Sequence, residues 1–162
     1  MRNAIFSFVL MLIFAPSLAF AWSAKVVYVH DGDSIHVVRN DTGERVRIRV
    51  FGVDCPEIGQ QYGIEARDLT RSIVDGQQIE VVPTGQKPSY GREVAGIIIL
   101  NKLVVLQEAL VSSGLAWVDG RYCKSSVCDQ WRIHQKDAKS ARRGLWEDDN
   151  PVPPWTWRRM KK

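Results

Sequence analysis

Cysteine is scarce in this sequence: three in 162 residues, too few for a scaffold built mainly on disulfides. The three histidines, His30, His36 and His134, show no H-E-x-x-H type of spacing through which paired imidazoles hold zinc, so a histidine- or zinc-based chemistry is disfavoured. His134, on the apolar side of a helical pattern, reads as a packing residue. Low-complexity tracts and internal repeats are absent, which excludes linker-rich and solenoid architectures. Neither sign of charge dominates: 22 Lys and Arg stand against 18 Asp and Glu, a formal net charge of +4. That balance favours polyanionic partners without requiring them. The length allows one domain, and the 45% hydrophobic content is ordinary for a globular chain.

Long apolar runs are also missing beyond the start of the chain, so nothing there is suited to crossing a bilayer. At the start, Arg2 precedes the apolar run Ala4 to Phe14, and Ala19-Phe20-Ala21 follows. A charged beginning, a short apolar middle and an A-x-A site make a signal peptide over 1–21, cleaved after Ala21. The alternatives are an uncleaved anchor or a buried helix, but the run is too short to span a bilayer comfortably and small residues sit where a peptidase would cut. Residues 22–162 are then expected to form one exported domain, periplasmic or secreted, without stable membrane association and monomeric. In an oxidising compartment the close pair Cys123 and Cys128 can staple the loop between them, leaving Cys55 over. Two independent thiols are the other possibility.

Three strands are expected first, over Lys25–His30, Ser34–Arg39 and Arg45–Phe51, the third alternating charged and apolar residues with period two. Asp31-Gly32-Asp33 and Asn40 to Gly43 supply the turns between them. A helix fits Gly63–Val74, where Ala66, Leu69 and Ile73 recur at spacings of three and four and Asp75-Gly76 ends the pattern. Strands resume at Gln78–Val82 and Glu93–Leu100, around a mobile loop from Pro83 to Gly91. Helices follow at Leu106–Ser112, capped by Gly114, and at Asp129–Arg142, capped by Gly144, with Trp131, Ala138, Ala141 and Leu145 on one face. From about residue 117 the chain carries a cysteine loop and a Pro- and Trp-rich tail. The segment Pro151–Trp157 reads as a strap laid on the domain, because Trp155 and Trp157 gain most by burial. The basic ending Arg158, Arg159, Lys161, Lys162 reads as a solvated tail, with phosphate contact as the alternative. Five short strands with a helix between the third and fourth give a mainly β (α+β) class: an OB-fold five-stranded Greek-key barrel with about three helices.

Three segments carry the chemistry: Asp31-Gly-Asp33, Arg49-Val-Phe-Gly-Val-Asp54-Cys-Pro-Glu57, and Tyr90-Gly-Arg92. Each alone is an unremarkable turn or strand end. Together they bring acids and arginines to the ends of neighbouring strands. Asp33 and Asp54, with a backbone carbonyl, make the hard oxygen environment that Ca²⁺ prefers. Cys55 is expected to give its main-chain oxygen, since a sulfur ligand would favour a softer ion. Glu57 is the spare carboxylate able to act as a general base. Arg49 and Arg92 bring forked guanidinium groups that match two phosphate oxygens at once, which lysine cannot imitate.

In this order, Asp-Gly-Asp-Ser, the arginine strand running into Val-Asp-Cys-Pro-Glu, Tyr-Gly-Arg, and Glu108-Ala-Leu-Val-Ser-Ser-Gly-Leu-Ala116, the sequence resembles the staphylococcal nuclease (thermonuclease) family. The likeness spans Ala24 to Ala116, and the combination is specific although no single motif is. It implies a calcium-dependent endonuclease on an OB-fold, cutting DNA and RNA with little sequence preference and leaving 3′-phosphate ends. By position it implies catalytic roles for Arg49, Glu57 and Arg92, metal ligation by Asp33, Asp54 and the Cys55 carbonyl, and a supporting acid in Asp31. Tyr90 and Tyr122 are the expected substrate contacts, Tyr122 as a base-stacking ring. Cys55 and Ser34 stand where the staphylococcal enzyme has threonines. Pro88-Ser89 replace an acid and a lysine, and Gly120 replaces a tyrosine that would partner Tyr122. The cysteine loop and the ending Gly144-Leu-Trp-Glu with Pro153-Pro-Trp-Thr-Trp resemble the exported bacterial branch. Two other readings are a catalytically inactive OB-fold module that only binds nucleic acid, and a purely structural exported barrel.

Overall fold

The computed structural model describes residues 21–99, 101 and 103–161. Apart from Ala21, the expected signal peptide therefore lies outside the described residues. The chain starts with an antiparallel meander, β1 (Trp22–Asp31), β2 (Ser34–Arg39) and β3 (Arg45–Val50). In β3 the alternation sorts the side chains by face: Ile48 and Val50 are buried in the core, Val46 packs against it, and Arg45 and Arg47 are exposed. A short β4 (Val53–Asp54) leads to α1 (Gly63–Val74), which buries Gly63, Ala66, Thr70 and Val74. Next come β5 (Gln78–Pro83), β6 (Glu93–Ile99), β7 (Val104–Val105) and α2 (Leu106–Ser112). The remainder is β8 (Trp117–Val118), α3 (Val127–Ser140), a 3₁₀ turn over Gly144–Glu147 and α4 (Pro154–Met160).

The strands run β3-β2-β1-β5-β6-β7, and β3 also pairs in parallel with β6, Arg49 opposite Val94. That pairing closes the five long strands into a mixed barrel, the OB-fold arrangement expected, and removes the edges a flat sheet would expose. Ala24, Val26, Ile35, Val37, Ile48, Ile79, Val81, Ile97 and Ile99 fill it, each no more than 2% exposed, so the barrel is a packed core rather than a channel.

Several boundaries differ from expectation. Strand β1 starts at Trp22, three residues early, because Trp22–Lys25 also pair with Val81–Gln78 of β5. Helix α3 spans Val127–Ser140, and Ala141 lies beyond it, exposed, whereas Trp131, Ala138 and Leu145 are buried as expected. His134 is partly covered, with Nε2 3.4 Å from Glu108 Oε1, in keeping with a packing role. Among the described residues there are four α-helices rather than about three. The tail is not a plain strap: from Pro154 it winds into α4, with proline at the first helical position, where its fixed φ suits the helix and no amide hydrogen is needed. Trp155 meets Trp117 edge-on, ring centroids 5.5 Å apart, and Trp117 meets Trp146 the same way at 4.4 Å.

Cys123 and Cys128 are joined by a disulfide, and Cys55 is the free, buried thiol. The bridge lies under the β3–β4 turn, where Gly52 adopts φ +76°. A Cβ on Gly52 would stand 2.6 Å from Cys123 Sγ and 2.8 Å from the Trp131 ring, so only glycine fits there. Trp131 also meets Phe51 edge-on, at 6.1 Å between centroids. The cysteine loop thus braces the turn that joins Arg49 to Asp54.

Candidate active site

The β1–β2 turn, the β3–β4 turn and the hairpin before β6 converge on one cleft of about 760 Å³. His30, Asp31, Arg49, Asp54, Glu57, Tyr90, Arg92, Arg121, Tyr122, Trp155 and Arg158 all line it.

Asp33 is built in by the Asp-Gly-Asp turn, where its amide donates to Asp31 Oδ1 at 3.0 Å. Its own carboxylate is 1% exposed, accepting from the Cys55 amide at 2.6 Å and forming an ion pair with Arg49 Nη1. Thr70 of α1 donates to the Gly32 carbonyl at 2.7 Å and fixes the turn to the helix. Asp54 is fully buried on β4, which pairs with β8. Glu57 is held where α1 begins: the Gln60 amide donates to its carbonyl at 2.8 Å, and a side chain on Gly63 would collide with that same carbonyl.

The arginines face these acids. Arg49 reaches Asp33 with one nitrogen and Asp54 Oδ1 with the other, at 2.7 Å. Arg92 donates to Ser34 Oγ at 2.7 Å and to the Ser89 carbonyl at 3.3 Å. Burial, with the neighbouring Arg49 charge, makes the Arg92 guanidinium more acidic than usual. Arg121 is gripped by Asp119 at 2.7 and 2.9 Å and stands over both Tyr122 and Trp155, 5.5 and 5.1 Å from their ring centres. Burial pushes the Asp119 carboxyl up, but the hydrogen bonds from Arg121 outweigh it and leave it below its ordinary value.

One participant reverses an expectation. Arg158, read from the sequence as part of a solvated tail, enters the cleft from α4. It donates to Asp54 Oδ1 at 3.1 Å, to Asp54 Oδ2 at 2.7 Å and to Glu57 Oε1 at 2.7 Å. These acids, Asp54 first, hold its guanidinium charged more firmly than usual. The tail is anchored nearby, Gln60 donating to the Val152 carbonyl at 2.5 Å.

The donor set can be judged from its atoms. Asp33 and Asp54 offer carboxylate oxygens only, the hard donors that Ca²⁺ takes, and their present partners are N–H and O–H donors. The Cys55 thiol does not compete: it is 3% exposed, buried against Gly32 and Ala66, and burial raises its pKa, so it is a core group rather than a soft ligand. Among the described residues no three His, Cys, Asp or Glu side chains converge closely enough to hold a metal ion by themselves. The residues fit such an ion in chemistry, with Arg158 now on the oxygens of Asp54.

Known proteins similar to this chain are nucleases and their relatives. The family model described as staphylococcal nuclease homologue matches residues 47–148. An uncharacterized endonuclease of Escherichia coli is 36% identical over 153 residues, covering 94% of this chain and 95% of its own. The chain belongs to the staphylococcal nuclease family. A micrococcal nuclease of Shigella flexneri is 29% identical over 168 residues, 99% of this chain and 93% of its own. A staphylococcal-like nuclease of Arabidopsis thaliana is 36% identical over 119 residues, covering 74% of this chain and 35% of its own. Family membership makes the chain a hydrolase of the nuclease class.

Of the residues singled out from sequence, Arg49, Asp54, Glu57, Tyr90, Arg92 and Tyr122 line the cleft, and Asp33 and Cys55 lie directly beneath it. Tyr90 is 91% exposed and Tyr122 59%. Asp119, Arg121, Trp155 and Arg158 went unnoticed in this role. The spacing Asp119-Gly-Arg121 beside Tyr122 was a readable signal for the first two; nothing local marks Arg158.

Proposed function

We propose that this family member is a calcium-dependent endonuclease that hydrolyses phosphodiester bonds of DNA and RNA with low sequence specificity and leaves 3′-phosphate ends. The observation that carries it is the meeting, in one cleft, of the acids Asp33, Asp54 and Glu57 with the guanidinium groups of Arg49 and Arg92. Asp33, Asp54 and the Cys55 main-chain oxygen would hold Ca²⁺, which would supply Lewis-acid activation of water and neutralise charge at the phosphate. Holding it there requires Asp54 to release Arg158. Glu57 accepts the proton of the attacking water at its carboxylate. Arg49 and Arg92 grip the non-bridging oxygens, most tightly when charge has built up on them. Asp31 keeps the Asp33 turn in shape, and Tyr90 and Tyr122 meet the substrate along the cleft walls.

The disulfide and the signal peptide read at 1–21 support a protein working outside the cytoplasm, periplasmic or secreted and free of the membrane once cleaved, where it acts as a monomer in this proposal. Among the described residues no helix is long and apolar enough to cross a membrane. The test is digestion of DNA and RNA by metal-stripped mature protein, with Ca²⁺ or with chelator, followed by polymerase extension of the fragments. Cleavage with Ca²⁺ alone, giving ends that extend only after phosphatase treatment, is expected. Full activity in chelator, or ends that extend directly, sinks the proposal.

A further inference from the structure

The outer face of the β1–β2–β3 meander carries a feature that the cleft does not use. Strand register lines its side chains up in three cross-strand rows. The first, Asp31, Ser34 and Arg49, borders the cleft; the second is Tyr28, His36 and Arg47; the third is Lys25, Val38 and Arg45. Simple alternation would not put Tyr28 on the same face as Lys25, three residues earlier. Register breaks between Val26 and Tyr28, and between Val29 and Asp31, insert Val27 and His30 as extra residues and turn both outward. Lys25, Tyr28, His30, Arg45 and Arg47 are exposed. The Tyr28 ring lies near both imidazoles, 5.3 Å from His36 and 6.3 Å from His30.

The two outer rows and the inserted residues contain no acid. None of Lys25, Arg45 and Arg47 is in an ion pair among the described residues. Of the acids in the β2–β3 turn, Asp41 is engaged by Arg39 at 2.7 and 2.9 Å. The face is continuous with the cleft: Arg47 Nη2 lies 3.5 Å from the Gly91 carbonyl, between Tyr90 and Arg92, and His30 lines both.

We propose that this face is a docking surface for a single-stranded segment of nucleic acid on one side of the bond being cut. Arg49, Arg47 and Arg45 project from alternate positions of one strand, about 6.7 Å apart. That step is close to the phosphate-to-phosphate distance along one nucleic-acid strand, and the strand is single because a base can lie on the ring of Tyr28 or His36 only when it is unpaired. Each exposed guanidinium then meets one phosphate. Tyr28 and His36 offer ring faces on which the splayed bases stack, without selecting their sequence. The strand leaves the cleft over Arg47 and ends over Lys25 and Arg45.

This inference rests on the nuclease reading, and its test separates the two. The mature protein and the triple variant Tyr28→Ala, Arg45→Gln, Arg47→Gln are assayed on a single strand of about 20 nucleotides and on a nitrophenyl phosphodiester of one nucleotide, over a range of salt. For the variant, kcat/KM on the long strand is expected to fall about tenfold or more, mostly through KM. The salt slope of log KM should shrink by about 0.7 for each arginine removed. The one-nucleotide substrate, which cannot reach the face, should be turned over within about twofold of the parent rate. If the triple variant does not fold, Arg45→Gln and Arg47→Gln are taken singly, each losing about 0.7 of slope. Equal loss on both substrates, or no loss on the long one, overturns the docking surface. A parent protein that cleaves neither substrate overturns the nuclease reading and this inference with it.

Discussion

Replacing Arg158 with glutamine tests how the cleft balances its charges. The guanidinium makes three hydrogen bonds, two to Asp54 and one to Glu57, between 2.7 and 3.1 Å. A hydrogen bond to a charged group is worth about 1.5–3 kcal/mol. The Arg158 side chain is 40% exposed, so water screens much of that, leaving about 1–2 kcal/mol that a cation must overcome to take Asp54. Glutamine removes the competing charge, and Arg49 still holds Asp54 Oδ1 at 2.7 Å, so the carboxylate is not stranded. At about 1.4 kcal/mol per factor of ten, the variant should bind Ca²⁺ roughly 5- to 30-fold more tightly. Titration calorimetry on metal-stripped protein reads this directly, without any turnover. Unchanged or weaker Ca²⁺ binding by a folded Arg158→Gln protein refutes the reasoning.

Other consequences can be checked separately. Reduction of Cys123–Cys128, which closes a loop of sequence separation 5, should cost roughly 2 kcal/mol and lower Tm in a thermal melt without unfolding the barrel. Gly52→Ala adds strain at φ +76° and drives a methyl into Cys123 Sγ and Trp131, so a denaturant titration should show a loss of about 2–4 kcal/mol. Asp119 has a lowered folded pKa, so its contribution to stability is full above the ordinary aspartate value near 4 and is lost as pH falls through the lowered one. Asp119→Asn should accordingly show a shallower acid loss of stability in chemical denaturation at stepped pH.

The barrel was legible because its signals are local. The alternation of Arg45–Val50 and the apolar spacing of Gly63–Val74 each fix an element within one short window, and the turns between strands are written in Asp, Asn and Gly. The core of the site was legible for a related reason: Arg49, Asp54 and Glu57 lie within nine residues of one another, so a single strand and its turn deliver all three. What escaped depends on distant partners. Strand β1 begins at Trp22 only because β5 lies opposite, and the outward placement of Tyr28 depends on bulges that period-two counting cannot see. Arg158 meets Asp54 across 104 positions of sequence, and a basic chain end by itself reads as solvated. The helical start at Pro154 could have been inferred from proline's preference for the first turn, but the burial value of the two tryptophans suggested a strap instead.

The central claim is that Glu57 serves as the base of a calcium-dependent phosphodiester hydrolysis, and the single-turnover rate of Glu57→Gln on DNA at saturating Ca²⁺ tests it most directly. Glutamine keeps the size and the contact to Arg158 but cannot take a proton. The rate should fall by about 10² to 10⁴ in a protein that is folded and still binds nucleotide. A loss of less than about threefold contradicts the account and removes Glu57 from the mechanism.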